Sequence, residues 1–106
     1  MDVLSTKLLI YSPLDIRLGG GGERWLVEVA SRLPDYGIAP RVFCTNFLPR
    51  GYHYSKHISM DTVLFEAGIS VITGQVYEIS SYLNLPVMTR SSASLLAREV
   101  RDSDIT

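Results

Sequence analysis

The residues of this chain best suited to chemistry are the run Arg17-Leu18-Gly19-Gly20-Gly21-Gly22-Glu23-Arg24-Trp25. Four consecutive glycines carry no Cβ atoms, so the backbone can take positive φ and another group can approach its amides closely. A helical pattern opens directly after them. A helix start there adds unpaired N–H groups and the positive end of a dipole, together a place for an anion such as phosphate. The plainer reading is a glycine hinge that turns strand into helix, and the run by itself leaves both open. Arg24, in the first turn of that helix, is either a phosphate or acceptor contact or the partner of a nearby acid such as Glu28.

The elements that must position this loop are readable on either side of it. Lys7 to Ser12 is a continuous apolar run of strand length, as in a parallel strand covered on both faces, and is expected to be the first and central strand. Pro13 to Gly21 is long for a strand-to-helix turn, which usually takes about 2 to 6 residues, and extra length there suggests a binding loop. Trp25, Leu26, Val29, Ala30 and Leu33 share one helical stripe, placing Trp25 in the core or at an interface. Glu28 and Arg32 pair at i, i+4. Pro34 and Gly37 end that helix, and Arg41 to Thr45 follows as a second buried strand, completing a βαβ unit over residues 7 to 45.

Asn46 to Ser59 shows no period and reads as a loop at the carboxyl end of a strand, the side where open α/β sheets bind ligands. Met60 to Ala67 is a short helix with Gly68 as its cap, and Ile69 to Thr73 a third strand. Gln75 to Asn84 has helical spacing, and Pro86 to Thr89 is expected as a short fourth strand beginning at proline. Ser91 or Ser92 is expected to cap a last helix carrying Leu95, Leu96 and Val100, with Arg101 to Thr106 a polar tail. This alternation predicts an α/β fold, a Rossmann-like three-layer α/β/α arrangement around a small parallel sheet, with residues 1–106 as one domain.

The totals narrow the function. With 106 residues, 46% apolar and 20% charged, the chain has the composition of a globular protein. A net charge of −1 with interspersed signs offers no basic face for nucleic acid. The single cysteine, Cys44, suits a reducing cytosol and reads as a small buried hydrophobe, not a nucleophile. No stretch approaches the roughly 18 apolar residues that span a bilayer. A cytoplasmic location is expected, with peripheral membrane contact the one membrane role left open.

Tested against known phosphate loops, the glycine run lacks the lysine of a Walker A loop, since Glu23 and Arg24 follow it. A dinucleotide fingerprint fits Gly19 and Gly21 but meets Arg24 at its third glycine, and Thr45 and Asn46 where an acid belongs. Instead, Leu9-Ile10-Tyr11-Ser12-Pro13, a loop, Gly20-Gly21-Gly22-Glu23-Arg24, a helix with Leu26, Ala30 and Leu33, Gly37, and the strand Val42-Phe43-Cys44-Thr45 resemble the amino-terminal part of family 4 glycosyltransferases of the GT-B fold. The likeness is good over residues 8 to 46 and looser over 69 to 90. Residues 47 to 68 match no pattern of that family.

The resemblance implies transfer of a sugar from a nucleotide-diphosphate donor to a saccharide or lipid-linked acceptor, with no metal and no cofactor beyond the sugar nucleotide. In that family the glycine loop presents amides to the donor diphosphate. That role falls here on Gly20 and Gly21, with Gly22 and Arg24 completing the candidate donor site. The amino-terminal domain otherwise holds the acceptor, for which the candidates are Asp15, Arg17, Tyr52, His53 and Arg90. Asp15 and Arg17 could hydrogen-bond sugar hydroxyls, although solvated loop charges are the commoner outcome. Tyr52, His53, Tyr54 and His57 could form an aromatic acceptor loop or a plain surface loop. A metal site on the two histidines would need helical geometry that Pro49 and Gly51 oppose. Arg90 is expected to end the fourth strand on the crevice side, where many family members carry a histidine.

The family's donor domain carries a Glu-x7-Glu motif, yet no two of this chain's five glutamates stand eight residues apart. The chain is therefore expected to be part of a GT-B amino-terminal domain without its donor domain, inactive alone and dependent on a carboxyl-terminal domain or partner subunit. The alternative is a non-catalytic Rossmann-like module that binds an anionic ligand or partner through the glycine loop. Exposed sheet edges also make a homo-oligomer an expectation.

Overall fold

The computed structural model describes residues 6–18, 21–50 and 60–106. Three apolar runs become parallel strands, β1 (Thr6–Tyr11), β2 (Ile38–Thr45) and β3 (Ser70–Gly74), in the order β1-β2-β3. α1 (Gly21–Arg32) joins β1 to β2, α2 (Met60–Glu66) precedes β3, and α3 (Glu78–Leu83) and α4 (Arg90–Arg101) follow it. The chain thus has the small α/β, Rossmann-like fold expected of its pattern. α1 gives way at Pro34 to a three-ten turn, Leu33–Tyr36, closed by Gly37 at φ 75°, whose N–H reaches the Pro34 carbonyl at 3.1 Å. Glycine takes that left-handed conformation without the Cβ penalty.

Side chains alternate along a strand, and here the two faces are covered by different helices. Val42 and Cys44 point to one face and pack with Leu26, Val27 and Ala30 of α1 and Leu64 of α2. Arg41 and Phe43 point to the other, where α4 lies. Arg41 donates to the Glu99 carboxylate and to Ser103 Oγ. A Cβ on Gly74 would stand 3.0 Å from Phe43 Cε1 and Cζ and 3.4 Å from the Ser92 Cβ, so this glycine is what lets ring and helix close on β3.

Pro40 sits inside β2 without breaking the ladder. The Asn46 N–H donates to the Gly74 carbonyl and the Ser12 N–H to the Phe43 carbonyl, so even-numbered residues of β2 face β3. The N–H that Pro40 lacks would point past the start of β3, where pairing begins only at Arg41 and Ser70.

Several local expectations are corrected. The first strand is not central in the three-stranded sheet; β2 is. The polar tail joins the sheet, which its composition did not announce: Ile105 bridges Leu8 in parallel, Leu9 N–H donates to the Ile105 carbonyl at 2.8 Å, and Lys7 N–H to Asp104 Oδ2 at 2.8 Å. Pro86 to Thr89 forms no fourth strand. Only Met88 makes a bridge, antiparallel to Val76, because the chain doubles back on Gln75–Tyr77 just beyond β3, and that pairing also shortens the expected helix over 75–84. The last helix is capped by Thr89, whose side chain accepts from the Ser92 N–H, and not by Ser91 or Ser92. Arg90 accordingly opens α4 instead of ending a strand. Trp25 is not core: it is 68% exposed, since the buried stripe of α1 runs through Leu26, Val27 and Ala30.

Candidate functional site

Parallel strands end on one side of a sheet, and the segments leaving β1, β2 and β3 are stitched together there. Ser12 N–H donates to the Phe43 carbonyl at 2.9 Å and Asp15 N–H to the Phe47 carbonyl at 3.0 Å. Thr45, fully buried at the end of β2, donates its hydroxyl to the Pro13 carbonyl and accepts from the Phe47 N–H at 3.0 Å. Asn46 Nδ2 donates to Gln75 Oε1 at 2.8 Å, and Asn46 Oδ1 accepts from the Val76 N–H at 2.9 Å. The long loop after β1 is therefore anchored along its first half.

Asp15 is the unexpected residue of that loop. Its position predicted a solvated charge, but it is 2% exposed. Asp15 Oδ1 accepts from Arg17 N–H and Nε, each at 3.0 Å, and Oδ2 from Arg17 Nη2 at 2.7 Å. A side-on bidentate pair of this kind fixes orientation as well as charge. The Arg17 side chain remains 47% exposed, so a buried carboxylate holds a guanidinium at the surface. Ile16, also 2% exposed, turns inward between them as the start of a three-ten turn, Ile16–Leu18.

Gly21 and Gly22 are the first two residues of α1, and Arg24 is exposed in its first turn. Glu28 pairs with Arg32, Nη2 to Oε1 at 3.1 Å. Gly20, Tyr52, His53, Tyr54 and His57 lie outside the described residues. Arg90 is exposed at the first position of α4, beside Thr89, whose N–H donates to the Gln75 carbonyl at 3.0 Å. It stands beyond the carboxyl end of β3, separated by β2 from the Asp15–Arg17 pair, so the structure joins Asp15 and Arg17 but does not bring Arg90 to them. Thr45 was missed as a site residue, and its only sequence signal was a hydroxyl closing an apolar strand.

The topology singles out this end of β1. α1 leaves β1 over one face, whereas α4 returns over the other and delivers Asp104 and Ile105 to the opposite edge of β1. Connections that diverge in this way mark a switch point, outside which open α/β sheets form their ligand crevice. The Asp15–Arg17 loop and the start of α1 both spring from it.

Cys44 faces the α1 and α2 layer, 1% exposed, with its Sγ 3.7 Å from Thr73 Oγ1. Burial pushes its thiol pKa up, and the nearby Asp15 charge adds to the rise; hydrogen bonds from Thr73 and the Ile16 backbone and the Arg17 charge offset it in part. A thiol raised on folding ionises first in the unfolded chain, so its contribution to stability is complete below the unfolded pKa and declines as pH rises above it. At neutral pH, modification of Cys44 by a thiol-specific disulfide reagent is expected only in denaturant, and rapid labelling of the native protein would contradict this burial.

Among the described residues no group of three or more His, Cys, Asp or Glu side chains could hold a metal ion, and no helix is long and apolar enough to cross a membrane. No protein-family model, curated protein or solved structure matches the chain.

Proposed function

We propose that this chain is the acceptor-side part of a family 4, GT-B glycosyltransferase that uses a sugar nucleotide, and that its glycine loop forms one wall of the donor site. One observation carries the reading: α1 begins at Gly21, within the glycine run, on the connection that leaves the switch-point end of β1. Amides at such a helix start can meet a diphosphate without any side chain, and they stabilise the charge that gathers on it as the sugar departs. Gly20, Gly21 and Gly22 supply those amides in this proposal, and Arg24 adds a cation from the first turn. Asp15 acts by orienting Arg17 toward an acceptor beside the diphosphate. The other wall, and turnover, belong to a domain carrying Glu-x7-Glu. The reading places the protein in the cytoplasm, with peripheral membrane contact where the acceptor is lipid-linked.

Titrating the labelled chain with inorganic pyrophosphate, followed by amide chemical shifts, tests this directly. Weak, saturable shifts centred on residues 20–24 are expected, and Arg24→Ala is expected to weaken them about 2- to 5-fold, as for an exposed charge contact. Shifts confined to other parts of the chain would overturn the assignment. A reading frame that continues past Thr106 into a domain with Glu-x7-Glu is the expected genetic result. Tight binding of nucleotide or sugar phosphate by this chain alone would instead favour a non-catalytic anion-binding module.

A further inference from the structure

We propose that two copies of this chain pair through the outer edges of their β3 strands, joining the two sheets antiparallel about a two-fold axis. The Asn46 N–H reaches the Gly74 carbonyl, so Ser70, Ile72 and Gly74 turn their backbone groups toward β2, while Val71 and Thr73 turn theirs outward. Among the described residues no strand pairs with that edge. A row of outward N–H and C=O groups is a template for another strand unless charge, proline or a covering segment protects it. Ser-Val-Ile-Thr-Gly contains neither a charge nor a proline. The opposite edge of the sheet is treated differently, since Asp104 and Ile105 cover β1.

A second copy fits this edge because the pairing is isologous, each Val71 and Thr73 offering the donor and acceptor that its counterpart needs. A two-fold axis perpendicular to the sheet makes the strands antiparallel and sets both α2 helices on the same face. Beside the edge, on that face, runs a groove lined by Thr62, Phe65, Ile69, Val71 and Thr73, where Phe65 is 80% exposed. The second α2 covers this groove. A net charge of −1 sets little repulsion against association.

Sedimentation equilibrium and concentration-dependent hydrogen exchange test the pairing. The expected result is a reversible dimer in which the Val71 and Thr73 amides exchange more slowly at high concentration. Thr73→Pro deletes an outward N–H and spares the ladder to β2, and Phe65→Lys alters an exposed side chain. Each is expected to weaken the dimer at least about tenfold. Phe65→Lys should leave the melting of the monomer unchanged, so it decides the matter if Thr73→Pro does not fold. A chain that stays monomeric up to about 1 mM, a dimer whose Val71 and Thr73 exchange ignores concentration, or one untouched by Phe65→Lys overturns the proposal.

Discussion

Phe43→Ala is expected to destabilise the protein by about 3–5 kcal/mol, the usual range for deleting a fully buried aromatic ring. Domains of this kind are stable by only about 5–15 kcal/mol, so the variant should sit near its unfolding threshold. The ring is fully buried toward the carboxyl end of β2, the central strand, stacks on Tyr11 with centroids 6.2 Å apart, and fills the space left by the absent side chain of Gly74. Truncation would therefore separate β1, β3 and α4 from the same face at once. Urea unfolding followed by circular dichroism measures the loss. Gly74→Ala provides the control. Alone it overpacks the contact and costs about 1–3 kcal/mol, but with Phe43→Leu the two changes should compensate by at least about 0.5 kcal/mol in a double-mutant cycle. Strict additivity would mean that ring and glycine do not share the space.

Thr45→Val carries the second large effect, about 2–4 kcal/mol, with almost no change of shape. The substitution strands the buried Phe47 N–H and the carbonyl of the exposed Pro13, two groups served by one hydroxyl; a buried unpaired group costs about 1–3 kcal/mol and one nearer water less. Thr45→Ser keeps the hydroxyl and should lose only about 1 kcal/mol for the missing methyl. Because Pro13 begins the loop that carries Asp15 and Arg17, Thr45→Val should also weaken the pyrophosphate response at residues 20–24 when that loop positions the start of α1. Equal stability of the valine and serine variants would show that water reaches this corner.

The βαβ unit over residues 7 to 45 was legible because its signals are local. Two continuous apolar runs, a stripe through Leu26 and Ala30, Pro34 and Gly37 each act within a turn of where they stand. The fourth strand was misread because Pro86 to Thr89 is extended in conformation, and extension does not name a partner. Gln75 to Tyr77 captured it before the sheet could. Trp25 lies beside the buried stripe of α1, and Leu64 of α2, distant in sequence, decided which side was covered. Thr89, Ser91 and Ser92 are all good caps; Ser92 was already engaged, its Oγ accepting from the Gln75 N–H at 2.7 Å. At the candidate site, Asp15 and Arg17 read as sugar contacts or solvated loop charges, and nothing local revealed that the Asp15 carboxylate would be buried and bound to Arg17. The hydroxyl of Thr45 was similarly silent, since its two partners belong to different loops.

The contact between Lys7 and Asp104 spans 97 residues of chain, which has a consequence for biosynthesis. β1 is made before β2 and β3, yet the segment that covers its outer edge is made 97 residues later. While the ribosome is still at work, the earliest strand waits with Lys7 and Leu9 unpaired on that side, and such long-range closures are slow. Vectorial synthesis therefore leaves the nascent protein with an uncovered edge until Ile105 emerges, and a chaperone that shields extended segments would find its target there during that interval.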